Sequence, residues 1–168
     1  MATRKRMSQD ILADHLSRQI ESLQDAFRKL SKAATLKDLG SQFVDVVQRM
    51  FPAATIDILY RPADSTQWQT VINGGAKGIE QLLALPRKKA SSSCSLHETS
   101  KSICIVQRLV DKSTIGMVLA RKSSTNKFTE VDLVSLRLFV HLFDNAYQEL
   151  LYRRNEKGLI FSLNHRVL

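Results

Sequence analysis

Apolar residues recur at helical spacing at both ends of the chain and alternate with polar residues in the middle. In SQDILADHLSRQIESLQDAFRKLSKA (residues 8–33), Leu16, Ile20, Leu23, Phe27 and Leu30 step alternately by four and three. That is the spacing of a coiled-coil seam rather than of a wide core-facing stripe. Ser8 is the predicted N-cap, with Asp10 in the first turn where the helix dipole favours an acid. Thr35 opens a second predicted helix, TLKDLGSQFVDVVQRMF, with Thr35 and Asp38 placed for a variant of the capping box. Leu39, Phe43, Val46, Val47 and Met50 form its apolar face, and Pro52 ends it.

The middle changes period. In ATIDILYRPAD, Ile56, Ile58 and Tyr60 alternate with Thr55, Asp57 and Leu59, which predicts a strand. QWQTVING predicts a second strand, closed by the turn residues Asn73 to Gly75. GIEQLLAL reads as a short helix stopped by Pro86, and residues 86–101, rich in serine and lysine and without period, read as a polar loop. SICIVQRLV and TIGMVLARK are two further strands joined by Asp111, Lys112 and Ser113, a hairpin without the favoured Asn-Gly turn.

The last helix has the sharpest start. Thr129 is a predicted N-cap whose hydroxyl meets the N–H of Asp132 while the Asp132 carboxylate answers back, and Phe128 and Leu133 are spaced for a hydrophobic staple. Leu136, Val140, Phe143, Tyr147 and Leu150 again step by four and three. The same steps land on Arg154, Lys157, Phe161, Asn164 and Leu168, a half-polar continuation broken only by Gly158, whose cost of about 1 kcal/mol does not end a helix. The expectation is a helix that projects past the domain and pairs with its copy. Both seams together (Leu16, Ile20, Leu23, Phe27, Leu136, Val140, Phe143, Tyr147 and Leu150) predict a homodimer interface, with an output domain continuing beyond Leu168. The expected division is a dimerisation helix at 1–34, a domain at 35–152 and a linker helix at 153–168.

Composition narrows the class. The chain has 168 residues, 43% of them hydrophobic, enough for one domain with a core. No apolar run reaches the length of about 18 residues of a membrane span, and MATRKRMSQD lacks the apolar stretch of a secretory signal, so a cytoplasmic protein is expected. Cys94 and Cys104 form neither a disulfide scaffold nor a metal spacing. The net charge of +9 invites an anionic partner, and a basic nucleic-acid-binding module is the alternative reading. Yet the basic groups, TRKR, PRKK, Arg121–Lys122 and YRR, are scattered and not interleaved with aromatics, which favours solvated surface charge. No G-x-S-x-G elbow, HExxH, paired CxxC or GxxxxGK[ST] loop occurs, so no catalytic and no metal residue is expected.

KFTEVDLVSLRLFVHLFDNAYQELL resembles the closing helix of a GAF domain, on Phe128, Thr129, Glu130, Asp132, Leu133 and Leu136. TIGMVLARK resembles that family's penultimate strand, in which a glycine, here Gly116, follows an apolar residue. The resemblance implies an α+β fold: a central antiparallel sheet with the long N- and C-terminal helices on one face, and loops and a short helix closing over a small pocket on the other. It implies a sensory or regulatory module that binds a small molecule or dimerises, and that passes a signal through its last helix to a kinase, phosphatase, cyclase or transcription activator. The cofactor stays unknown.

Typical ligands of such domains are cyclic nucleotides, haem, bilins and small metabolites. Asn126, Lys127, Phe128 and Asp132 match part of a cyclic-nucleotide motif, but its spacer is absent and Leu133 replaces its glutamate. His97 lies three residues after Cys94, whereas bilin attachment has histidine directly after the cysteine. Of His15, His97, His141 and His165, only His97 falls in a predicted loop facing a pocket, as a haem ligand would. The predicted pocket consists of Ile58, Tyr60, Trp68, Val71, Leu82, Leu83, Cys94 and His97, residues equally able to fill it themselves. SLNHRVL resembles the phosphoacceptor segment of some sensor histidine kinases, which would make His165 a phosphoacceptor.

Overall fold

A computed structural model describes residues 17, 21–85, 94–99, 102–121 and 128–166, with side chains described as far as Gly158. Its elements in chain order are a helix over 21–30 (α1), α2 (Leu36–Met50), β1 (Ala54–Arg61), β2 (Gln69–Ile72), α3 (Gly78–Leu83), β3 (Cys94–Glu98), β4 (Ser102–Arg108), β5 (Thr114–Arg121) and α4 (Glu130–Arg166). The strands make one antiparallel sheet in the order β2-β1-β5-β4-β3.

Two of the three expected caps form, and the third, Ser8, lies outside the described residues. The N–H of Asp38 donates to the Thr35 hydroxyl and the N–H of Thr35 to the Asp38 carboxylate, each at 3.1 Å. At α4 the Thr129 N–H donates to Asp132 at 2.7 Å and the Asp132 N–H to Thr129 at 3.2 Å. Each box satisfies two donors that the first helical turn leaves without partners. Phe128 is buried against Phe51, ring centroids 5.8 Å apart, and so fixes the entry to α4.

Strand alternation sends one set of residues to each face. Ile56, Ile58, Ile103, Ile105, Ile115, Met117 and Leu119 pack against Leu30, Leu39, Phe43, Val47, Leu136, Val140 and Phe143. Phe43 and Phe143 meet edge to face at 5.3 Å, the arrangement aromatic quadrupoles prefer. Burying each such side chain contributes about 1.5–3 kcal/mol.

This packing corrects the α4 seam. Leu136, Val140, Phe143, Tyr147 and Leu150 are buried inside one chain, together with Phe139 and Ala146. Those two residues widen the four-three row into a core-facing stripe, so the row is no surface for a second copy. In α1, Leu30 is buried with Ala26, as is Ala33 just beyond it, and Leu23 and Phe27 are half-buried; Leu16 and Ile20 lie outside the described residues. The end of α1 thus belongs to the same core as residues beyond 35. Arg153 of α4 ties it there, its guanidinium donating to the carbonyls of Ser31 at 2.8 Å and Ala33 at 3.1 Å. Met50, expected inward, is exposed.

A second correction concerns the polar loop. Cys94–Glu98 within it is an edge strand paired with β4, Cys94 opposite Gln107 and His97 opposite Cys104. Cys94 and Leu96 point toward the helices. Two inward residues in a short edge strand are too few to stand out against the serines around them. The helix α4 continues through Gly158 to Arg166.

Candidate functional site

The sheet face opposite the long helices is covered by α3 and the segment leading into it. Alternation puts four rows of residues on this face. Ser102, Ala120 and Thr55 form one, His97, Cys104, Val118 and Asp57 the next, then Ser95, Val106, Gly116 and Leu59, and finally Arg108, Thr114 and Arg61.

Asp57 holds the cover in place. One carboxylate oxygen accepts from the N–H groups of Gly74 at 2.7 Å and Ala76 at 3.1 Å, and the other from that of Gly78 at 2.7 Å. Glycine is required where the cover comes closest. A Cβ on Gly74 would stand 2.3 Å from the Ile56 carbonyl oxygen, and one on Gly78 2.8 Å from the Asp57 Cβ. Next along α3, the Gln81 amide donates to the Ala76 carbonyl at 2.7 Å, while its oxygen accepts from the Ser102 hydroxyl and lies 3.6 Å from the Cys104 sulfur.

The centre of the face is occupied. Leu59, Ala76, Leu82, Cys104 and Val118 form a small second core, joined by Trp68, Leu85, Val106 and Ala120. Leu82 and Trp68 lie directly over Gly116, where a Cβ would meet Leu82 at 2.4 Å and the Trp68 ring at 3.2 Å. The Arg61 guanidinium stacks over the Trp68 ring, 4.8 Å from its centroid.

Of the residues predicted to line a pocket, Trp68, Leu82 and His97 are on this face. Ile58, Tyr60, Val71 and Cys94 face the helices instead and belong to the main core, and Leu83 points away from the sheet, 70% exposed. The error is one of strand parity: Ile58 and Tyr60 are the strongly apolar set of β1, and the strongly apolar set goes to the larger core. Asp57, Leu59, Gln81, Ser102, Cys104 and Gly116, which build the face, are the other parity set and the α3 residues above it. An acid between Ile56 and Ile58 in a strand was the available signal. His97 sits beside Cys104 on a strand rather than in a loop. Burial pushes both thiols up, Cys94 despite the charge of Arg137, so neither is primed as a nucleophile. His165 lies on the backbone of α4, its side chain outside the described region; His15, Asn126 and Lys127 are outside the described residues. Among the described residues no three His, Cys, Asp or Glu side chains gather as a metal site would need, and no helix is long and apolar enough to cross a membrane. A groove of about 600 Å³ lies elsewhere, between α1 and α2, and is lined largely by charged and polar side chains such as Glu21, Asp25, Arg28 and Arg49.

Strand β5 carries Gly116, and α4 is met by its last residue and by the turn that leads into it. At one end Arg121 stacks 4.0 Å over Phe128 and lies 3.9 Å from Asp132. At the other, the Tyr147 hydroxyl donates to Asp111 at 2.8 Å, and Asp111 also accepts from the N–H and hydroxyl of Ser113. Burial pushes the Asp111 carboxyl up, but these hydrogen bonds outweigh it and hold the carboxyl below its ordinary value. Burial and the bond to Asp111 push the Tyr147 phenol well up.

No protein-family model and no curated protein matches the sequence. Solved structures do match in three dimensions. The GAF domain of a sensor histidine kinase from Pseudomonas syringae pv. tomato superposes with a TM-score of 0.57 at 16% identity, over 90% of this chain and 97% of that one. SdiA in complex with octanoyl-rac-glycerol superposes with a TM-score of 0.54 at 10% identity, over 78% of this chain and 66% of that one. The fold is therefore that of a GAF domain, an antiparallel sheet flanked by helices with a long closing helix.

Proposed function

We propose that the chain is a GAF-type sensory or regulatory module of a signalling protein, with the α3-covered face of the sheet as its ligand site and α4 as its output. The observation that carries this reading is the position of β5. It faces Trp68 and Leu82 through Gly116, its last residue Arg121 pairs with Asp132 of α4, and the turn that leads into it is bonded to Tyr147 of α4 through Asp111. A small molecule entering this face displaces Trp68 and Leu82, moves β5 and its turn, and shifts the helix that the Arg121 and Asp111 contacts hold. SdiA, of the same fold, is seen with an amphipathic small molecule, which fits a face lined by apolar residues with a few polar groups at its edge.

The module works as a homodimer. With the inner row of α4 buried, the surface for a second copy is the opposite stripe: Val131, Val134, Leu138 and Tyr152 are exposed and fall on one line of three-four spacing. An output domain reads the change through the end of α4.

Native mass spectrometry of the chain, purified without denaturation, tests both parts. The expected result is a dimer carrying a defined extra mass, lost in a Gly116→Leu variant that keeps its circular dichroism. A monomer overturns the dimer. An extra mass that survives Gly116→Leu moves the ligand to another site.

A further inference from the structure

The row at one margin of this face has a chemistry that the sensory reading does not use. Arg61 and Arg108 each stand directly opposite Thr114, on either side of it across β5. Two strand spacings set their backbones about 10 Å apart, close enough for two arginine side chains on one face to converge on one group. Thr114 between them is buried, and its hydroxyl lies 3.5 Å from an Arg61 nitrogen. Among the described residues neither guanidinium has a carboxylate within ion-pair distance; the two ion pairs found involve Arg28 and Arg121. Arg61 is oriented instead by the Trp68 ring. The next row inward is the apolar floor of Val106, Gly116 and Leu59 under Leu82 and Trp68.

We infer that the ligand is an amphipathic anion, with a phosphate or carboxylate head held by Arg61, Arg108 and the Thr114 hydroxyl and an apolar tail over Gly116. Guanidinium forks match the paired oxygens of such a head, and two of them with a hydroxyl donor make a three-sided cradle. Trp68, stacked under Arg61, joins the two halves: a head that draws Arg61 away from the ring frees the ring to swing off Gly116. The inference rests on the α3-covered face being the ligand site, and its test separates the two.

Trp68 is the chain's one tryptophan, so its fluorescence reports on the face itself. The full chain is titrated with octyl phosphate and, for comparison, with octanoyl-rac-glycerol, a neutral head on an eight-carbon acyl tail, both below their micellar concentrations. Octyl phosphate is expected to bind about tenfold or more tightly than the neutral probe, and Arg108→Gln to abolish that difference while Arg49→Gln, on α2, leaves it intact. Equal binding of both probes, with Arg108→Gln neutral, overturns the anion cradle and leaves the ligand face standing. Equal weakening by Arg108→Gln and Arg49→Gln reduces the preference to overall charge and also overturns the cradle. If neither probe moves the Trp68 signal, the ligand face itself falls, and the inference with it.

Discussion

The two faces of the sheet are built by different physics. The helix face is a continuous apolar core in which Phe43, Phe143, Ile58, Ile105, Met117 and Leu119 are fully buried. The α3 face is a thin layer in which a carboxylate, an amide and three close-approach glycines do much of the holding. Hydrophobic burial is non-directional and strong in aggregate, so the helix face fixes the fold. Hydrogen bonds contribute about 1 kcal/mol net each and depend on geometry, so the α3 face is the part that can be opened at modest cost.

The largest effect is expected from the helix face. Phe143→Ala removes the partner of Phe43 and is expected to cost about 3–5 kcal/mol, read as a large drop in the urea midpoint. A charged residue at Phe143 unfolds the chain rather than separating a dimer. On the α3 face, Asp57→Ala leaves three N–H groups without their acceptor and is expected to cost about 2–3 kcal/mol. Hydrogen exchange should place that loss in residues 73–83 and spare α2; an even loss over the whole chain would erase the contrast between the faces.

Asp111→Asn, between the faces, is expected to cost about 1–2 kcal/mol by weakening the bonds from Tyr147 and Ser113. Its pH dependence has a definite sign. The folded carboxyl titrates below its ordinary value of 3.8, so the folded state binds the proton less well than the unfolded one. The stabilisation is therefore complete above that value and fades as the pH falls through it toward the lower folded value. Urea melts of the wild type and Asp111→Asn should differ at pH 7 and draw together as the pH falls below the ordinary carboxylate range. The smallest effect on stability, within about 0.5 kcal/mol, is expected for Leu138→Arg on the outer stripe of α4. Sedimentation should nonetheless show its dimer weakened; an unchanged dimer would remove that stripe from the interface.

The same contrast explains what was legible in the sequence. Periodicity located the strands of the main core and the long closing helix, because apolar burial writes itself into spacing, and the Thr–Asp pairs marked the caps at Thr35 and Thr129. It misjudged α4, where a four-three row looked complete without Phe139 and Ala146, and missed β3, which has only Cys94 and Leu96 to mark it. The α3 face was the least legible. Its makers are single polar residues and glycines, Asp57, Gln81, Ser102 and Gly116, brought together by strand register rather than by any local pattern. Two predicted pocket residues, Trp68 and Leu82, are there because they fill the face.

The central claim is that an occupant over Gly116 is felt by α4 through β5. Gly116→Ala mimics an occupant without a ligand, since its Cβ would lie 2.4 Å from Leu82 and 3.2 Å from Trp68. Hydrogen exchange of this variant against the wild type is the direct measurement. The account predicts faster exchange in the first turns of α4 and around Tyr147, along with α3, while α2 is unchanged. Faster exchange confined to α3 and β5, with α4 identical to the wild type, would contradict it.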